Sequence, residues 1–177
     1  KAKEVLGSYL QHYPAHEQAL LYLAKSAQAM GAENQALESF QAYFAIAENP
    51  HPGDIVSAAQ LFAQQSEAGV EEALLLLDTR MSELGVQPQL QRYAIELEVE
   101  RGEVGSAIER CRALEASLGS SPQWKFEMAK LLMLGNRNIE AATLLNSAEA
   151  QLDQLTPTPA RRALSLRIGA LKISWLS

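Results

Sequence analysis

The sequence predicts an all-α fold, an α-solenoid of stacked antiparallel helical hairpins, and three observations carry that prediction. First, the 177 residues are 47% hydrophobic but only 6% aromatic. The apolar content is therefore mostly Ala and Leu, which are strong helix formers, while β-branched residues are sparse. Second, Gly31, Gly69, Gly102 and Gly135 are separated by 38, 33 and 33 residues. Third, Pro14, Pro50, Pro88, Pro122 and Pro157 are separated by 36, 38, 34 and 35 residues, with the glycines roughly midway between them. Two independent markers thus keep a common period of about 34 residues, the signature of a helical repeat array.

The elements follow in order. Residues 2–13 read as the second helix of a preceding repeat, and hairpins run at about 16–49, 54–86, 88–120 and 122–155. A final helix at about 159–177 starts after Thr156-Pro157-Thr158-Pro159, a cap-and-proline start signal. Within each hairpin a Gly-containing turn supplies the left-handed residue that ends the first helix. In three of them Ala36, Ala107 or Ala141 follows the turn by five or six residues, where a small side chain lets two helices cross closely. In the second hairpin the turn falls at Gly69, a residue short, with Ala73 and Leu77 following. One such pair cannot bury its apolar face alone, so neighbours stack into one domain with a continuous core. The chain opens Lys1-Ala2-Lys3, without Met and already in a helical pattern, which reads as a segment of a longer protein.

These residues resemble the tetratricopeptide repeat, whose helix–turn–helix unit carries W-x2-L-G-x2-Y, then A-x3-F, then P. Leu20, Leu23, Ala24 and Ala27 stand at the first-helix signature, Ala36 and Phe40 supply A-x3-F, and Asn49-Pro50 closes the unit. Lys125, Met128, Ala129 and Leu132, then Ala141 and Leu145, repeat the pattern before Pro157. In the third unit Ala107 and Cys111 take the A-x3-F places and Ile95 replaces the small first-helix residue. The resemblance covers nearly the whole chain, and its Ala-, Leu- and Gln-rich style is similar to bacterial members. It implies a right-handed superhelix whose first helices line a concave groove that binds a peptide or partner protein. It also implies a scaffold role in settings such as envelope assembly, secretion or exopolysaccharide export.

Carrying the groove face over from the resemblance names Gln18, Leu21, Lys25 and Gln28 in the first hairpin, and Ala58, Phe62 and Gln65 in the second. The third contributes Arg92, Glu96 and Val99, the fourth Gln123, Phe126, Lys130 and Met133, and the last helix Arg161 and Ser165. Phe62, Phe126 and Met133 would be apolar anchors among polar orienting groups. Members that clamp a chaperone carboxy-terminus use a Lys, Asn, Asn, Lys, Arg set. Here Lys25 and Lys130 are too far apart in repeat count, and Ala24-Lys25 stand where a Gly-Asn pair belongs, so no such clamp is expected.

The remaining chemistry points away from catalysis. The sequence holds no G-x-S-x-G elbow, P-loop, dinucleotide fingerprint or H-E-x-x-H. His12 and His16 are four apart, but Pro14 between them breaks the helix that a metal pair would need, and His51 sits a repeat away. These read as turn histidines, so no metal and no cofactor is expected. Cys111, the single cysteine, occupies the Phe slot and reads as a core residue. Arg92 and Glu96 read as an i, i+4 pair on an exposed face. Trp124 reads as core packing, and Trp175 as packed on the last hairpin or exposed beyond it.

Net charge is −6. Residues 1–88 carry four Lys/Arg against eleven Asp/Glu, whereas residues 89–177 carry eleven against ten. An acidic chain makes a poor nucleic-acid binder. Arg161, Arg162, Arg167 and Lys172, with no acid from Ala160 onward, read as a solvated helix face. No apolar run reaches the roughly 18 residues of a membrane span. The expected partner is a protein or peptide. An accessory role beside a catalytic domain and self-association into a homo-oligomer are the alternative readings.

Overall fold

The computed structural model describes the backbone of residues 2–176 and the side chains of residues 5–174, so the side chain of Trp175 lies outside the described residues. Among the described residues there are ten helices and no strand. They are α1 (Ala2–His12), α2 (Glu17–Ala29), α3 (Glu33–Phe44), α4 (Pro52–Gln65) and α5 (Glu67–Leu84), then α6 (Pro88–Glu100), α7 (Val104–Leu118), α8 (Pro122–Leu134), α9 (Asn138–Asp153) and α10 (Pro159–Leu176). The chain divides into two compact units, Lys1–Leu90 and Gln91–Ser177.

Start signals are read off local chemistry. Pro52 and Pro122 hold N-terminal helix positions, where a missing N–H has no partner to lose. The residues before them accept from the orphan amides: His51 Nδ1 from Gly53 N–H at 3.0 Å and Ser121 Oγ from Trp124 N–H at 3.2 Å. His16 Nδ1 caps α2 in the same way, taking the Ala19 N–H at 3.2 Å. Two of the three histidines are thus helix caps, a use that their spacing alone does not reveal.

Three hairpin turns share one closing bond. Ala32 N–H donates to Ala27 C=O at 2.9 Å, Glu103 to Glu98 at 2.8 Å, and Arg137 to Leu132 at 2.8 Å. Each needs a left-handed residue just before the donor. Gly31 (φ 71°) and Gly102 (φ 77°) supply it as expected. In the last turn the left-handed residue is Asn136 (φ 57°), with Gly135 at φ −83°.

The second hairpin turns differently. The chain reverses at Ser66, an extended residue (φ −172°, ψ 173°) that ends α4 and caps α5 through Oγ and the Gly69 N–H. Gly69 lies inside α5, and its role is close approach: a Cβ there would sit 2.0 Å from the Phe62 carbonyl oxygen. The position must be glycine because backbone meets backbone, not because the chain turns there.

In the first unit, α2 contributes Ala24 and Ala27 to the core and α3 contributes Ala36, Leu37, Phe40, Tyr43 and Phe44. The next hairpin buries Ile55, Ala58, Ala59 and Leu61 from α4, with Ala73 and Leu77 from α5. A 2.7 Å ion pair, Lys25 to Asp54, ties α2 to α4. In the second unit one cluster joins Ala107, Ile108 and Cys111 of α7 to Phe126, Met128, Ala129, Leu131 and Leu132 of α8. Ala141, Leu145 and Ala148 of α9 and Leu164 and Ile168 of α10 extend it. The small–large pairs named from the sequence are therefore core pairs. The register of α6 is one residue off the reading: Ala94 is its fully buried small residue, and Ile95 is half-buried. A polar contact joins α6 to α7, where Arg110 Nε donates to the buried Glu98 at 2.6 Å and Nη1 to Gln91 at 3.3 Å.

Candidate functional site

A groove of about 490 Å³ opens between α6 and α8 in the second unit. From α6 it is lined by Arg92, Ile95, Glu96, Val99 and Glu100, which recur at three- and four-residue steps along one face. From α8 it is lined by Gln123, Trp124, Glu127, Lys130, Leu131 and Leu134, again one face. Cys111 of α7 closes its base. The two helices can present these stripes because their other faces are committed, α6 through Ala94 and Leu97 and α8 through Ala129 and Leu132.

The charged side chains along the walls are engaged to different degrees. The Arg92 guanidinium lies over the Trp124 ring, 5.4 Å from its centroid, and is directed there rather than along its own helix to Glu96. Glu127 accepts from Lys130 Nζ at 3.0 Å and Gln123 Nε2 at 2.7 Å, and pairs electrostatically with Arg167 at 3.6 Å. Lys130 and Arg167 also approach the Phe126 ring, at 5.9 and 4.6 Å. Burial, then the carboxylates of Glu100 and Glu96, raises the Tyr93 hydroxyl above its ordinary pKa. Burial, then Glu115 and Glu127, pushes the Cys111 thiol up to about 11. A thiol so held is a protonated core side chain, not a nucleophile.

Of the groove residues named from the sequence, Arg92, Glu96 and Lys130 come together here, with Val99 and Gln123. Phe126 is buried in the core cluster and Met133 packs half-buried against it. Lys25 is engaged with Asp54, and Gln65 Nε2 donates to Asn34 Oδ1 at 3.3 Å. Gln28 is half-buried. Phe62 lines a separate depression of about 270 Å³ with Phe40, Phe44, Leu75 and Arg80. Trp124, Glu100 and Glu127 are groove residues that the sequence reading missed. For Glu100 and Glu127 the signal was present, since each falls one helical turn from a named residue, whereas Trp124, read as core packing, does pack half-buried against the core cluster and borders the groove as well.

Among the described residues no group of three His, Cys, Asp or Glu is placed to hold a metal ion. No described helix is long and apolar enough to cross a membrane.

No family profile matches the chain, and no curated protein matches it. Solved structures do. The MamA protein superposes with a TM-score of 0.66 at 15% identity, covering 89% of this chain and 87% of that one. TTC0263, a thermophilic TPR protein of Thermus thermophilus, gives 0.57 at 20% identity over 97% and 89%. PilW, a widely conserved type IV pilus biogenesis factor, gives 0.56 at 16% identity over 93% and 74%.

Proposed function

From the premise that this chain has the all-α helical-repeat fold of tetratricopeptide-repeat proteins, we propose that it is a non-catalytic scaffold that binds a segment of another protein in the α6–α8 groove. The observation that carries the reading is the groove itself: an apolar base with Trp124 at one edge, bordered by charged side chains on two first-helix faces. Such a surface suits a polypeptide, whose side chains supply anchors and whose backbone fills length. The thiol at its base, held protonated to about 11, supports binding rather than bond-making. The likeness to PilW supports, as part of the same proposal, a place in an assembly process at the cell envelope.

The test is selection of a displayed library of random 12-residue peptides on the immobilised protein, followed by titration of enriched peptides. Enriched peptides should bind the parent, and the double variant Arg92→Glu/Lys130→Glu, whose melting curve should match the parent's, should change their affinity at least tenfold. No enrichment, or affinities indifferent to the double variant, would overturn the reading.

A further inference from the structure

The cations and anions of the groove are not equally engaged. Arg92 is spent on the Trp124 face, Lys130 on Glu127 and the Phe126 ring, and Arg167, at the far side of α8, on the same two groups. The carboxylate of Glu127 is likewise occupied, by hydrogen bonds from Lys130 and Gln123 and an ion pair with Arg167. Glu96 and Glu100 are different. They stand one turn apart on α6, both on the groove wall, and neither has an ion-pair partner among the described residues. Beside them run Ile95 and Val99 on α6, with Leu131 and the exposed Leu134 on α8 across the groove. Arg92 and Lys130 thus stand against Glu96, Glu100 and Glu127 in the lining, a balance of −1, and the two carboxylates without a cation lie along an apolar floor.

We infer that the segment taken up in the groove is basic and apolar: a stretch of polypeptide with Lys or Arg beside aliphatic residues, its cations on Glu96 and Glu100 and its aliphatic side chains on Ile95, Val99, Leu131 and Leu134. This rests on the groove reading above and narrows it by charge complementarity. Beside these carboxylates on α6, the Tyr93 hydroxyl is raised above its ordinary pKa first by burial and then by Glu100 and Glu96. An acidic ligand would meet unpaired carboxylates and would have to draw Arg92 and Lys130 away from contacts they already make.

Three matched sets of fluorescein-labelled 12-residue peptides, alternating Leu and Gly with Lys, Glu or Ser, provide the probe, read by anisotropy against the full chain. The Lys set should bind at least tenfold more tightly than the Glu set, and raising NaCl from about 50 to about 300 mM should weaken it. Glu96→Gln/Glu100→Gln should remove the preference, and Glu96→Lys/Glu100→Lys should invert it. If the Glu or Ser set binds best and Arg92→Glu/Lys130→Glu abolishes it, the groove reading stands and this inference falls. If the Lys set binds best but ignores the Glu96/Glu100 variants, the inference falls as well. If no set binds, or none responds to any groove variant, both fall.

Discussion

Arg92 and Trp124 face each other across the groove, guanidinium over indole at 5.4 Å, and so join two first helices at residues 32 positions apart in sequence. At an exposed site such a contact contributes about 0.5–1 kcal/mol. Its larger effect is to fix the edge of the groove. Arg92→Gln should therefore leave stability nearly unchanged while increasing the accessibility of Trp124 to iodide, measured as fluorescence quenching. Equal quenching in parent and variant would mean that the guanidinium does not shield the ring in solution.

The α6–α7 pairing hangs on a charge pair that is largely removed from water, Glu98 with Arg110 at 2.6 Å. Removing one partner of such a pair strands the other, at about 3–5 kcal/mol. Glu98→Ala should fall near the lower end, because Arg110 keeps some exposure and its bond to Gln91. Glu98→Leu/Arg110→Met should recover most of the loss. Urea unfolding of the two variants decides this, and equal destabilisation by both would argue against the pair as the cause.

Hairpin crossings at Ala36 and Ala141 leave 0% and 1% of each residue exposed. Ala36→Trp and Ala141→Trp should overpack them and lower stability by roughly 1–3 kcal/mol or more. Thermal melts indistinguishable from the parent would mean that the helices do not cross there.

Two glycines separate close approach from mere presence. Gly69→Ala places a methyl group against the Phe62 carbonyl and should destabilise by more than about 1 kcal/mol. Gly169 lies inside α10, and a methyl group added there would meet nothing within 4 Å, so Gly169→Ala should stabilise by about 0.4–1 kcal/mol. Opposite signs in denaturant midpoint are the expected result.

Alkaline pH should probe Cys111. In the unfolded chain the thiol ionises near its ordinary 9.0, while in the fold it does so at about 11. A raised folded value means stability that is fully present below pH 9 and lost as pH climbs toward 11. The melting temperature should fall over that window more steeply for the parent than for Cys111→Ala. Parallel curves would place the thiol in water.

The hairpins were legible because their grammar is redundant. Ala36 with Phe40, Ala107 with Cys111 and Ala141 with Leu145 each pair a small residue with a larger one at a fixed step, and all six are buried. What stayed hidden was the use of individual residues within that grammar. Gly69 and Gly135 carry the turn signal, but the conformations belong to Ser66 and Asn136, since a backbone clash in one case and a tolerated left-handed Asn in the other decide the matter. The groove was half legible for a related reason. A first helix is covered on two sides, so only a narrow stripe is free, and neighbouring positions step about 100° around the helix. One position therefore separates the groove residue Glu127 from the buried Phe126.

The shared turn has a kinetic consequence. The closing bonds beside Gly31, Gly102 and Asn136 each link residues only five apart, so their loop-closure entropy is small. Each helix pair can zip up on its own before any neighbour docks, and nucleation is free to begin at several places along the chain. Ser66 lacks that bond, and the second pair closes instead through Gly69 fitting against Phe62, so zipping of that pair alone should slow when a side chain is added at Gly69.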